Sequence, residues 1–583
     1  MAETMRRLPV LTVLLLGASL GACASQPTLS PPPMPVASGP VAPTPDPGTS
    51  PYGLFLAGQA AQDEGHLVAA SAYLGRAAAT ESEPGFIRNE AFNAALRAGD
   101  IPAAAALAPT PDDVSLSERH LGAVVRGVEA LAEGKPKDAY AQLSGPEAGF
   151  PHKGIATLLA PFAAAGAGDA AHALARPDMD GDGVGQFVAD LDQAELYERL
   201  GKPAQAEAAF KTLMQGGDQS GLITVSYGAF LERRGRWADA QALYRERGSH
   251  DPNNETIAEV LARAQKHGRP PSLPGLRQRA SEAMLIPAAA LIAQKQQIYA
   301  LDYLRLALRL DPANNEAWIL VGDLLAPADP EAARAALVQV APSSDRYVAA
   351  RDKLAWTYQR AGDQEQALKI ARETLTSAPG NREVAGTLAD LLRADEQYAE
   401  SATVLTKLID GAGPKPDWRL FYLRASAYDQ LGDTDKTEAD LAAALKLEPD
   451  EPELLNFQAY FWIDRGQHLK EALAMVQRAA DADPQSGEII DSLGWAYYRL
   501  GDFPSAVEKL EQAVTLEPAI AEVNDHLGDA YWRVGRRTEA EFQWRRVLSL
   551  NPSERLRIRA EAKLASPSGP DVSPAPLPLT SAQ

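Results

Sequence analysis

The stretch that decides the fold is residues 487–520, GEIIDSLGWAYYRLGDFPSAVEKLEQAVTLEPAI, because its small residues and its proline return after 34 positions. The recurring residues are Gly501, Ala506, Ala513 and Pro518, followed by Gly535, Ala540, Val547 and Pro552. Upstream, glycines recur every 33 to 35 residues, at positions 65, 99, 134, 168, 201 and 235. A period in this range is the signature of stacked helical hairpins. We therefore expect an all-α solenoid.

Each recurring residue has a physical task in such a hairpin. Gly494 and Ala506 are small, as required where the two helices touch. Gly501 can adopt a positive φ in the turn between the helices, and Pro518 stops the second helix. Together these residues resemble the tetratricopeptide (TPR) repeat. The resemblance implies a scaffold that binds other proteins and usually carries no chemistry.

Looser copies of the pattern extend over nearly all of residues 52–552 and predict an α-solenoid of about 10 to 15 helical hairpins with disordered Pro-rich ends. Three prolines near residue 270 interrupt the helical pattern, either as a junction between two arms or as a kinked loop in one continuous spiral. The predicted organisation is a signal peptide (1–22), a lipidated cysteine with a Pro-rich tether (23–51), an N-terminal TPR-like arm (52–266), a junction (267–280), a C-terminal TPR arm with a capping helix (281–564) and a disordered tail (565–583).

The composition excludes several classes of function. The chain has 583 residues and a net charge of −21, so sequence-independent binding to nucleic acid is not expected, because phosphate binding needs a basic surface. A single cysteine rules out a disulfide within the chain.

That cysteine follows an apolar run, residues 8–20, which is too short to span a bilayer. Leu20-Gly21-Ala22-Cys23 resembles the lipobox of bacterial lipoproteins, in which the signal is cleaved before the cysteine and the thiol is acylated, for example with palmitate. Ala24 and Ser25 come next, and in that family the absence of Asp at this point implies the outer membrane. The alternative is an ordinary secretory signal with an incidental cysteine.

No catalytic motif or cofactor-binding motif emerges, so we expect a protein that is not an enzyme. One acidic loop resembles the start of an EF-hand calcium site, with candidate ligands Asp178, Asp180 and Asp182. Its twelfth position is Ala189 rather than the bidentate Glu, so a polar turn is the preferred interpretation and no metal is expected.

The TPR resemblance implies a protein-binding groove lined by the first helix of each hairpin. The positions that match it are Tyr422, Asn456, Tyr460, Asp491, Trp495, Tyr498, Asp525, Asp529 and Trp532. Aromatic rings there offer rigid contact area, and the carboxylates favour basic or amide-rich partners. The alternative is that several of these rings fill the hairpin interior.

Residues 491–501 and 524–532 look similar to one group of TPR lipoproteins of Gram-negative envelopes. Members of that group are adaptors that bring peptidoglycan hydrolases to a periplasmic carboxy-terminal processing protease. The resemblance implies an outer-membrane, periplasm-facing adaptor with envelope proteins as partners and no nucleic acid. The alternative is an assembly factor, pilotin-like or a barrel-assembly accessory, for an outer-membrane complex.

Overall fold

The computed structural model describes residues 50–79, 85–109, 115–218, 221–252, 254–413 and 416–566. The signal peptide, Cys23, nearly all of the tether and nearly all of the C-terminal tail lie outside these residues. All the regular secondary structure in the described part is helical, which confirms the predicted all-α solenoid. No helix among the described residues combines the length and the apolar character that a membrane span needs.

The chain forms two compact units, unit 1 (Met1–Thr374) and unit 2 (Leu375–Gln583). The division falls inside α20. The helices up to that point are α1 (Pro51–Asp63), α2 (Leu67–Ala78), α3 (Gly85–Ala98), α4 (Ile101–Leu107), α5 (Leu116–Ala132), α6 (Pro136–Ser144), α7 (Lys153–Gly166), α8 (Ala170–Ala173), α9 (Gly183–Arg199), α10 (Pro203–Gln215), α11 (Leu222–Arg233), α12 (Trp237–His250), α13 (Glu255–Gln265), α14 (Leu276–Ala283), α15 (Leu285–Ala293), α16 (Gln297–Leu310), α17 (Asn315–Leu325), α18 (Pro330–Leu337), α19 (Tyr347–Arg360) and α20 (Gln364–Ser377).

The remaining helices belong to unit 2. They are α21 (Arg382–Ala394), α22 (Tyr398–Asp410), α23 (Trp418–Gln430), α24 (Thr434–Leu447), α25 (Pro452–Arg465), α26 (Leu469–Ala482), α27 (Gly487–Arg499), α28 (Phe503–Leu516), α29 (Ala521–Arg533), α30 (Arg537–Ser549) and α31 (Glu554–Ala565). The last of these helices coincides with the predicted capping helix.

The turns between paired helices follow the glycine spacing. Gly501 and Gly535 both have φ of 84°, and the six upstream glycines of the series are also in the positive-φ region. Where a hairpin lacks this glycine, another residue takes the same conformation, as Lys295 (φ 60°) and Glu396 (φ 58°) do. A non-glycine residue there is strained, because its Cβ crowds the backbone. The turn geometry is therefore kept even where the repeat is degenerate in sequence.

Close approach of the two helices in a hairpin depends on glycine in the first helix. A Cβ placed on Gly494 would lie 2.6 Å from Leu510 Cγ, and one on Gly528 would lie 2.5 Å from Trp544 Nε1. The same contact, with a large side chain 16 residues later, recurs along the chain at Gly58–Leu74, Gly127–Leu143, Gly228–Tyr244, Gly494–Leu510 and Gly528–Trp544. The spacing fixes where the two helices cross.

In unit 1, helices α14 to α16 pack back against earlier first helices rather than only on their sequence neighbours. Helix α14 contacts α7 and α9, and α16 contacts α3 and α5. The Arg309 guanidinium donates two hydrogen bonds to the Glu129 carboxylate, at 2.7 and 2.8 Å. The predicted junction at 267–280 thus overlaps the start of α14, which packs against earlier helices of unit 1. The division of the chain into two arms stays a prediction.

The hairpin contact generates the first prediction. Gly494→Ala should reduce the free energy of unfolding of unit 2 by about 1–3 kcal/mol, because Leu510 is fully buried and the added methyl overpacks the contact. Chemical denaturation of the full chain measures the change.

Gly386→Ala is the matched control, since it lies on α21 of the same unit and its Cβ would meet nothing within 4 Å. This control should leave stability unchanged or raise it by about 0.5–1 kcal/mol, through helix propensity. Equal effects of the two substitutions would contradict the crossing constraint.

Candidate functional site

The candidate groove residues divide into a buried set and a partly exposed set. Trp495 and Tyr498 are 2% and 0% exposed, and their rings stack with centroids 4.6 Å apart. The ring of His526, on α29, also stacks on Trp495, with centroids 4.1 Å apart. Arg533 Nε donates to the Tyr498 hydroxyl at 3.1 Å. Trp495 and Tyr498 therefore belong to the core between α27 and α29, the alternative that the sequence left open.

Asp525 and Asp529 were predicted as carboxylates of a binding groove, but the structure places them in the interior. Both are fully buried, and the equally buried Lys563 Nζ of α31 lies 2.7 Å from Asp525 Oδ1 and 2.6 Å from Asp529 Oδ1. Arg559 lies 3.2 Å from the other Asp525 oxygen. The physical reason is that the capping helix covers this face of α29, which helix-by-helix positions cannot reveal. The cluster holds the cap in place, since losing Lys563 would leave the buried Asp529 charge without its lysine partner and Asp525 with Arg559 alone.

Asp491 takes part in a similar contact one repeat earlier. It is 6% exposed, and its Oδ2 accepts a hydrogen bond from His526 Nδ1 at 2.9 Å. Burial disfavours the charged imidazole, but the charge and hydrogen bond of Asp491, together with the charges of Glu522 and Asp525, outweigh it, so the pKa of His526 is raised. Asp491 Oδ1 is buried and has no hydrogen-bond partner among the described residues.

The partly exposed set comprises Tyr422, Asn456, Tyr460 and Trp532. The Tyr422 ring packs edge-on against Phe457, with centroids 5.4 Å apart. Burial, followed by the nearby Glu522 and Asp491 charges, raises the pKa of Tyr460, so its hydroxyl stays protonated and can donate. These four residues are the candidates that a partner can reach, and the binding role of all nine candidates stays a prediction.

Three acidic residues near this set were missed by the sequence argument. Glu453, Glu488 and Glu522 are each the second residue of a first helix, namely α25, α27 and α29, and all three are exposed. Their spacing of 35 and 34 residues is the repeat period itself, so the signal was present in the sequence. We call these three residues the carboxylate row. An acidic residue in the first helical turn is favoured by the helix dipole.

Three first-helix carboxylates of unit 1 are neutralised by arginines within the chain. Glu129 of α5 pairs with Arg309, while Arg279 of α14 lies 2.8 Å from Asp192 and 3.0 Å from Glu195, both on α9. These arginines belong to the helices that pack back across unit 1. Glu129 of α5 and Asp192 and Glu195 of α9 are therefore already paired with basic side chains of the same protein.

The acidic loop before α9 is a structured turn. Asp182 caps α9 by accepting a hydrogen bond from the Val184 amide at 3.0 Å, and Asp180 pairs with Lys153 at 2.6 Å. Asp178 Oδ1 accepts from the Asp180 amide. Within the described residues, no group of three or more His, Cys, Asp or Glu side chains is arranged to hold a metal ion. The hydrogen bonds of Asp178 and Asp182 and the ion pair of Asp180 are those of a polar turn that precedes a helix.

Comparisons with known families agree with this architecture. The model of the tetratricopeptide repeat matches residues 277–552, and a second tetratricopeptide-repeat model matches residues 191–252. A curated relative, the TPR repeat-containing protein PA4667 of Pseudomonas aeruginosa, is 32% identical over 90 residues. That match spans only 15% of each chain.

Solved structures with a similar fold are long helical-repeat proteins. The Cut9 and Hcn1 hetero-tetramer of the APC/C matches with a TM-score of 0.36 and 14% identity, over 88% of this chain and 96% of the other. Yeast Tom70 matches with a TM-score of 0.34 and 16% identity, over 76% of this chain and 95% of the other. At these identities the likeness concerns the fold alone.

The burial pattern generates the second prediction. Tyr498→Ala should lower the free energy of unfolding by about 3–5 kcal/mol, because its ring is fully buried in the core of unit 2. Tyr460→Ala should cost clearly less, because part of this ring already faces solvent. Denaturant titration of the two variants gives the comparison. Equal losses of unfolding free energy would contradict this difference and would show that the Tyr460 ring contributes as much to the core as the Tyr498 ring.

Proposed function

Since this chain is a tetratricopeptide-repeat protein, we propose that it is a lipid-anchored, non-catalytic scaffold of the bacterial envelope. TPR proteins bind peptides or other proteins, so the chain's function lies in the partners it holds. In this proposal Cys23 carries the lipid and the Pro-rich tether separates the folded repeats from the outer membrane. The partners are a periplasmic carboxy-terminal processing protease and the peptidoglycan hydrolases that it cuts.

The observation that carries the proposal is the partly exposed first-helix face of unit 2. Tyr422, Asn456 and Tyr460 lie there on α23 and α25, and the buried Asn456 Oδ1 atom has no hydrogen-bond partner among the described residues. An unsatisfied acceptor beside two tyrosines offers a protein partner both a polar contact and rigid ring area. The lipobox at Cys23 supports the envelope setting, and the resemblance of residues 491–501 supports the adaptor role.

Photo-crosslinking in living cells tests this function. A photoreactive amino acid at position 460 should capture the protease or a peptidoglycan hydrolase. The same amino acid at position 542 should not, because Phe542 is 62% exposed but lies on a second helix, α30. Cys23→Ser should remove a metabolic fatty-acid label from the protein and abolish capture of membrane-proximal partners.

The outcomes separate the hypotheses. Capture of barrel or secretin subunits from position 460 would instead support the assembly-factor role. Equal capture from positions 460 and 542 would contradict a binding face on the first helices. A fatty-acid label that persists in Cys23→Ser would contradict the lipid anchor.

A further inference from the structure

The carboxylate row of unit 2 lacks basic partners of the kind that Glu129, Asp192 and Glu195 have in unit 1. Glu453, Glu488 and Glu522 form no ion pair with any described residue, although they stand at equivalent positions of successive first helices. Although the Glu488 residue as a whole is exposed, partial burial of its carboxyl group raises its pKa, and the surrounding carboxylates, Glu517 foremost, raise it further, as expected where no counter-ion is present.

The basic side chains nearby are already engaged. Arg559 pairs with Asp525, and Arg419 lies over the Trp418 ring at 4.5 Å and beside Asp417 at 3.7 Å. The helix dipole explains a glutamate in each first turn, but it supplies no mobile cation. The row therefore remains a line of uncompensated negative charge on the described surface.

A buried acceptor next to the row points independently to a missing donor. Asp491 follows Glu488 by three residues on α27, so the two side chains are neighbours on one helical face. Asp491 is 6% exposed; one oxygen accepts from His526, and the other is buried without a partner. A buried acceptor left unpaired is costly, and a ligand N–H would relieve that cost.

Resting on the proposed scaffold function, we propose that the carboxylate row, flanked by Tyr422 and Tyr460, binds a lysine- or arginine-bearing segment of the partner protein. Unit 1 shows the same chemistry within the chain, where arginines 279 and 309 pair with carboxylates of α9 and α5. The tyrosine rings add cation–π surface for such side chains. First helices of neighbouring hairpins pack roughly 10 Å apart, which is about one turn of three residues in a polyproline II segment, where every third side chain lies on the same face. A basic residue at every third position therefore matches the row.

Fluorescence anisotropy with the full-length protein tests the proposal at physiological ionic strength. The probe is a labelled peptide with lysine at every third position, and its glutamate counterpart serves as the negative probe. The triple variant E453Q/E488Q/E522Q should bind the lysine peptide roughly tenfold more weakly, since three exposed ion pairs are lost. Its melting temperature should change by only a few degrees, because the row forms no ion pair in the described part of the folded protein and only the weak helix-dipole contribution of each glutamate is lost.

A matched variant separates recognition from bulk attraction by a chain of charge −21. E471Q/E508Q/E541Q removes the same number of negative charges from second helices α26, α28 and α30 of the same three hairpins. It should change binding less than about twofold. Equal weakening by both triples, or no binding of the lysine peptide by the unsubstituted protein, would overturn the proposal.

Photo-crosslinking from position 460 in the E453Q/E488Q/E522Q variant distinguishes the basic-segment proposal from the proposed scaffold function. Loss of partner capture is expected if a basic segment docks on the row. Undiminished capture would overturn the basic-segment proposal while leaving the scaffold function in place. Absence of capture in the otherwise unsubstituted protein would instead defeat the scaffold function itself.

Discussion

The architecture depends on one contact, the close crossing of two helices at a glycine. Gly494 against Leu510 and Gly528 against Trp544 show that a large second-helix side chain fills the space that the first helix leaves empty. A hairpin built this way buries one face only, so it must stack on neighbours to acquire a core. Stacking in turn places equivalent first-helix residues side by side, and this periodicity creates both the buried contact of Asp491 with His526 and the carboxylate row.

Features that arise within a single hairpin were predictable from the periodicity of the sequence. Turn glycines, helix-ending prolines and the capping helix lie where their spacing placed them, because each acts locally. Contacts beyond the hairpin were not predictable. Two turns were not recognisable from the glycine spacing, because Lys295 and Glu396 take the positive-φ conformation that glycine usually adopts. The pairing of Arg309 with Glu129 joins residues 180 positions apart, and nothing in the repeat pattern encodes such a contact.

Burial explains why the candidate site was only partly predictable. The position of a residue in the repeat predicts which face of the first helix its side chain is on. It does not predict which neighbouring helices cover that face. Trp495 is covered by His526 of the next repeat, and Asp529 is covered by Lys563 of the cap. Tyr460 remains partly exposed. Glu129 of α5 and Asp192 and Glu195 of α9 have basic partners in the chain. The carboxylate row of unit 2 has none among the described residues.

Hydrogen–deuterium exchange of the full chain, with and without a partner isolated from the envelope, tests this difference most directly. Partner binding should slow amide exchange in α25 and α27, where Tyr460 and two residues of the carboxylate row lie. Exchange in α5 and α9 should not change, because Arg309 already pairs with Glu129 and Arg279 with Asp192. Protection confined to α5 and α9, with none in α25 and α27, would contradict the account.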